Sequence, residues 1–193
     1  MKKLNEVEIY LLEHWEDVMK LEEAVNSFRG KLKDAIQEVA KELEKRDWWT
    51  KEFEKSTQEG HVEIWKTTWV KGHESLITVG IGGLKLDNFL GLEEDSPYVF
   101  IWNGWLRKKE GEKVQEEFNE LFKKYSEKIF KSFKTYKDWI CYEFPQTLDN
   151  ENWLDVIKDG RLGEELNKLF DFLSELIDPI DRALNEVLKK KKK

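Results

Sequence analysis

From Leu4 to Glu42 one stripe of side chains recurs in steps of three and four: Leu4, Val7, Leu11, His14, Val18, Leu21, Val25, Phe28, Leu32, Ala35, Val39 and Glu42. All but His14 and Glu42 are apolar, and the stripe keeps its phase through roughly six heptads. Asn26, Ser27 and Gly30 lie inside it. A loop there would shift the phase, so the spacing predicts one long helix over residues 1–46, with Gly30 as the point where it could bend. At about 1.5 Å per residue such a helix spans roughly 60 Å. That is long for the chain that follows. Either the stripe only covers a sheet, or part of it overhangs and meets a partner or a second copy. His14 and Glu42 would be costly in a dry core, which argues for partial exposure or a register-setting contact.

The remaining bulk properties bound the answer. At 193 residues the chain is long enough for one well-filled core, and a single domain is expected. Apolar residues at 39% argue against disorder although 38% of the chain is charged. With 33 basic and 40 acidic side chains the net charge is −7, which gives no general reason to bind nucleic acid or anionic lipid. Cys141 is the sole cysteine, so no intramolecular disulfide forms and a reducing, cytoplasmic setting is expected. No apolar run approaches a membrane span, and acidic residues break up the N-terminal apolar positions before a signal-peptide core could form.

After Asp47-Trp48-Trp49 the pattern changes. Residues 53–106 form a β-rich core, with Val62 and Ile64 on one side of a strand and Trp65, Thr67 and Trp69 on the other. Large groups on both sides predict packing on both faces. Lys71-Gly72-His73 reads as a turn, Leu76 to Ile81 as a second strand, and Tyr98 to Trp102 as a third. Gly80, Gly82 and Gly83 suggest a bulge or strand end. Residues 107–188 read as helices with one short strand. The first helix runs from Lys109 to Phe133, the strand covers 139–144, and a last arm from Gly163 is capped, restarted and kinked at Asp178-Pro179. Lys189 to Lys193 form a frayed basic tail. The fold class is therefore α+β: a small, mostly antiparallel sheet from about 53–105 plus 139–144, covered by helices.

The chain carries no recognised catalytic constellation. No Asp or Glu is followed two residues later by Lys, as a PD-(D/E)XK metal site requires. His14, His61 and His73 lack zinc-ligand spacing, and one cysteine cannot supply a thiolate cluster. Gly80-Ile81-Gly82-Gly83-Leu84-Lys85 has neither Walker nor dinucleotide spacing. There is no GxSxG elbow, and Cys141 sits in an apolar strand, as an inert thiol does. Glu93, Glu94 and Asp95 are a solvated loop. No cofactor and no metal is expected.

Three surfaces remain. Trp65, Trp69, Trp102 and Trp105 would line one cleft if their strands are neighbours, able to stack a ligand or anchor a protein partner; core packing is the competing reading. Residues 107–137 hold ten Lys/Arg against six Asp/Glu, and Lys124, Lys128 and Lys131 recur at helical spacing. They could track phosphates, or pair with residues 138–188, where four basic side chains face thirteen acidic ones. The third surface is the long helix. The leading expectation is a non-enzymatic interaction protein, adaptor or inhibitor in type, that docks a protein partner or itself through that helix or the Trp-bearing face. The alternative is a nucleic-acid-binding module using the basic helix with Trp stacking. No membrane association is expected.

Overall fold

The computed structural model describes residues 4–58, 60–89, 96–129 and 133–190. The N-terminal stripe forms two helices, α1 (Glu6–Glu13) and α2 (Trp15–Glu42). Asn5 starts α1 with a capping box: its side chain accepts from the Glu8 N–H at 2.9 Å, and Glu8 accepts from the Asn5 N–H at 2.7 Å. The interruption falls at His14 (φ −113°, ψ 25°), whose ring tilts against Tyr10 at 4.3 Å. Gly30 is not a bend point. α2 passes through it, and a Cβ at Gly30 would meet nothing within 4 Å.

Chain reversals then build the sheet. Its strands are β1 (Phe53–Gln58) and β2 (His61–Lys66), a small separate hairpin of β3 (Val70–Lys71) and β4 (Glu74–Ser75), then β5 (Thr78–Gly82). A helical turn, α3 (Leu86–Phe89), precedes β6 (Tyr98–Trp102). Two helices, α4 (Gly104–Glu110) and α5 (Glu112–Ser126), lead to β7 (Lys134–Thr135) and β8 (Trp139–Glu143). The chain ends in α6 (Trp153–Lys158) and α7 (Leu162–Lys190). The six-stranded sheet has the order β1-β2-β5-β6-β8-β7, every pairing antiparallel.

One face of that sheet is the core. Val62 and Ile64, Val79 and Ile81, Val99 and Ile101, and Ile140 share a side through the strand register, and all are buried. Each such side chain contributes about 1.5–3 kcal/mol by leaving water. Two helices close this face. α2 supplies Leu32, Ile36, Val39 and Ala40. α7 supplies a long apolar strip from Leu162 to Val187, and α5 packs against α7 through Phe118 and Phe122. Lys66 and Lys55 point to the same side: Lys66 pairs with Asp181 on α7, and Lys55 donates to the Ala40 carbonyl at 2.8 Å.

Several expected boundaries move. The helix expected from Lys109 to Phe133 is two, divided at Gly111, whose φ of 104° a residue with a side chain rarely adopts, and the second ends at Ser126. α7 continues through Pro179 without a restart. Gly80 lies inside β5, while Gly82 ends it and Gly83 follows with φ 69°, the strand end that the sequence allowed. The strand expected over Leu76 to Ile81 begins at Thr78, since the β3–β4 hairpin takes Ser75. The Glu93-Glu94-Asp95 loop, Lys131 and the last three lysines lie outside the described residues.

Candidate functional site

The second face of the sheet carries the residues that alternate with the core. Register places Glu54 opposite Trp65, Thr78 opposite Trp102, and Trp102 opposite Trp139. Most of these side chains are half-buried or exposed, so the expected packing on both faces holds for one. Aromatic rings dominate the surface. Tyr98 lies 5.6 Å from Trp139 and 6.2 Å from Phe100, and Tyr136 stacks on Trp139 at 4.7 Å.

Two glycines make that arrangement possible. A Cβ on Gly80 would come within 2.7 Å of the Phe100 ring and 2.3 Å of the Val62 carbonyl oxygen. A Cβ on Gly82 would come within 2.5 Å of the Tyr98 ring. Both glycines are cross-strand partners of the ring they accommodate, so the rings lie across β5 where a side chain would otherwise stand.

At the β3–β4 end of this face the surface dips into an open groove of about 670 Å³. Its lining includes Glu54, Glu63, Trp65, Thr78, Trp102 and Trp105, with the β3–β4 hairpin, including His73 and Glu74, along one side. Each indole is held by its surroundings. Trp65 Nε1–H donates to Glu54 at 3.0 Å. Trp102 leans over Gly104, where a Cβ would meet its ring at 2.9 Å. Trp105 takes the Lys108 ammonium at 4.1 Å from its ring centre, and Lys109 bridges from 5.6 Å to Glu74, 2.5 Å away. The β6–α4 junction that aims Trp102 and Trp105 is pinned by a buried polar knot. Gln115 donates to the Asn103 side-chain oxygen at 2.6 Å and to the Lys137 carbonyl at 2.9 Å, while Asn103 donates to Asn119 at 2.6 Å. Fully satisfied networks of this kind fix one geometry.

No protein-family model, curated protein or solved structure matches this chain.

Trp69 does not join the groove. β2 ends at Lys66, and the helical turn Thr67–Trp69 rotates the chain out of strand parity. Trp69 is buried on the helix-covered side, its Nε1–H donating to Asp181 at 2.6 Å. Of the four tryptophans singled out by sequence, Trp65, Trp102 and Trp105 come together. The acidic partners Glu54, Glu63 and Glu74 were not singled out, and Gly80 and Gly82 were noted only as a bulge or strand end, because strand register alone reveals which rings they face.

The lysine set falls elsewhere. Lys124 is exposed on α5, while Lys128 follows the end of that helix in a turn, so the two do not continue one helical stripe. α5 is turned toward α7 instead. The Tyr125 hydroxyl donates to Glu186 at 2.5 Å, and Lys190 reaches Glu117 at 2.5 Å and Glu186 at 3.2 Å. These contacts hold the Glu186 carboxyl below the usual carboxylate range, Tyr125 contributing most. The same hydrogen bond pushes the Tyr125 phenol up.

The N-terminal helices form the other candidate surface. α1 buries no residue, and the first buried residue of α2 is Leu32. Residues 6–28 therefore form an arm of about 35 Å at 1.5 Å per residue, reaching beyond the core. Leu4, Val7, Ile9, Tyr10, Leu11, Leu12, Trp15, Met19 and Leu21 are all exposed on it. The stripe identified Leu4, Val7, Leu11 and Leu21; Tyr10, Leu12, Trp15 and Met19 widen it, and Ile9, two residues from both Val7 and Leu11, lies across α1 from it. Among the described residues, no group of three His, Cys, Asp or Glu is placed to hold a metal, and no helix is long and apolar enough to cross a membrane.

Proposed function

We propose that this chain is a protein-interaction module, adaptor or inhibitor in type, that docks a partner along its N-terminal arm. The observation that carries this reading is the set of nine large apolar side chains exposed on residues 4–21. Contiguous apolar surface on this scale marks interaction sites in soluble proteins. Its charge selects the partner. Residues 4–28 hold seven carboxylates (Glu6, Glu8, Glu13, Glu16, Asp17, Glu22 and Glu23) against one ammonium, Lys20. Two such arms side by side would repel, whereas an amphipathic helix flanked by Lys and Arg would be attracted as its apolar face is buried. The same charge makes an anionic lipid surface a poor match.

Nucleic-acid binding is the weaker reading. The clustered tryptophans stand beside carboxylates, Lys109 beside them is paired with Glu74, and Lys124 and Lys128 lie at and beyond the end of α5, away from the groove lining.

Trp15 reports on the docking proposal because it is the arm's one tryptophan and is exposed. A synthetic helix with Leu at its a and d positions and Lys at e and g should bind saturably, shift the Trp15 emission to the blue and weaken with added salt. Trp15→Phe should remove the shift. Equal binding of a version with Glu in place of Lys, or of neither peptide, would remove the proposal. A concentration-dependent dimer in light scattering, dissociated by Leu11→Ser with Leu21→Ser, would replace the basic partner with a second copy.

A further inference from the structure

We infer that the groove between Trp65, Trp102 and Trp105 is a binding site for a linear aliphatic di- or polyamine. This is independent of the arm. The arm's helix enters the body beside the β1–β2 turn, where Arg29, Leu32 and Lys33 share a surface with Gly60. The groove opens at the other end of those strands, beside Thr67 and Thr78.

Charge is the first argument. Glu54, Glu63 and Glu74 line the groove, and its lining contains no Lys or Arg. Glu74 is engaged by Lys109 from outside, whereas among the described residues Glu54 and Glu63 make no ion pair. A phosphate or carboxylate ligand would meet only repulsion from these groups. A cation would be drawn in, and partial burial strengthens the attraction relative to open water.

The second argument is spacing. Glu54 faces Trp65 in the β1–β2 register, and Glu63 lies two residues from Trp65 on the same side of the sheet. The two carboxylates are therefore diagonal neighbours, about 7–8 Å apart at the backbone. Two ammonium groups joined by a short methylene chain match that spacing, one at each carboxylate.

The aromatic lining supplies the third. Methylene groups lie favourably on indole faces, and an ammonium group over an indole gains cation–π attraction. Trp105, one of the lining indoles, already makes this contact within the chain, with the Lys108 ammonium 4.1 Å from its ring centre although Lys108 is not part of the lining. At about 670 Å³ the space is far larger than one ammonium and suits an extended chain. A neutral sugar would use the same indoles but would leave the Glu54 and Glu63 charges uncompensated, so the amine is preferred.

The test uses the full chain, with spermidine as the probe. Indole N–H resonances are followed by two-dimensional NMR, and affinity by calorimetry. The Trp65 indole N–H should move on titration, because its acceptor Glu54 becomes shared with the ligand. Glu54→Gln with Glu63→Gln should weaken binding by about tenfold or more, and added salt should weaken it as well. Both positions are on the strand face away from the core, so an unchanged melting temperature separates loss of the site from loss of the fold. Trp102→Leu should weaken binding without removing its salt dependence. Three results would overturn the inference. These are no saturable binding of spermidine, salt-insensitive binding of a neutral oligosaccharide at the same resonances, and a lysine-rich peptide outcompeting spermidine by a hundredfold, which would make the groove a peptide site.

Discussion

Two halves of the N-terminal helix pair carry the same apolar spacing and meet opposite surroundings. Between Leu32 and Leu43 the side chains of Leu32, Ile36, Val39, Ala40 and Leu43 are buried, Leu43 completely. Between Val7 and Leu21 the equivalent groups face solvent, with Val7 67% and Leu21 66% exposed. Spacing does not separate them: Leu32, Ile36, Val39 and Leu43 step 4, 3 and 4, and the exposed stripe steps three and four alike. An apolar stripe in a sequence thus says that a face is to be covered, but not by what.

The largest expected effect breaks the comparison if it fails. Leu43→Ala removes a fully buried side chain and should cost about 2–5 kcal/mol in urea unfolding. Leu21→Ala, a chemically identical change in the arm, should alter the stability of the monomer by no more than about 0.5 kcal/mol. A comparable loss at both positions would mean that the arm folds back onto the body in solution.

A second contrast sets the two faces of the sheet against each other. Trp69→Phe shrinks a fully buried ring and removes the indole N–H that donates to Asp181. Losing the partner of a fully buried acceptor costs about 1–3 kcal/mol; Asp181 is 29% exposed and keeps Lys66, which places the loss at the lower end of that range. Trp102→Phe on the open face should cost less, because Trp102 is 37% exposed. Acrylamide quenching of the two variants gives the same ordering optically: the emission lost with Trp102 should be quenchable, and the emission lost with Trp69 should not.

How much of this was legible in the sequence depends on the range of the interactions involved. The α+β class, a strand through Val62 and Ile64, the strands at Tyr98 and Trp139 and the long helical signal follow from local periodicity; that the stretch from Phe53 to Lys66 reverses to make two paired strands does not. Trp65 and Trp102 come together although β2 and β6 are not neighbours: they flank β5, and α4 adds Trp105 at its start. Trp69 was misplaced because strand parity was carried three residues past Lys66, into a turn that is set by its contact with α7. The stripe was continued to Glu42 for a similar reason. Glu42 is exposed and pairs with Lys45 at 2.7 Å, since the helix has by then rotated out of the heptad phase. Glu63, Gly80 and Gly82 acquire meaning only through register, which no single strand's composition encodes.

The smallest expected effect concerns the α5–α7 seam, which belongs wholly to the body. Glu186 is held below the usual carboxylate range first by the Tyr125 hydroxyl and then by Lys190. Its folded-state affinity for a proton is therefore lower than in the unfolded chain, so acid favours unfolding. The stability it contributes is present above the ordinary carboxylate pKa and is lost as pH falls through the depressed folded value. Tyr125→Phe removes the largest cause of that depression and should flatten the acid limb of a stability-against-pH curve. Both groups are near solvent, which keeps the change small. Leu21→Ala should leave the acid limb as it is, because the arm touches neither residue. If the arm variant flattened the limb and Tyr125→Phe did not, the acid sensitivity would reside in the arm's seven carboxylates, and the separation between arm and body would fail at the electrostatic level even where it holds for packing.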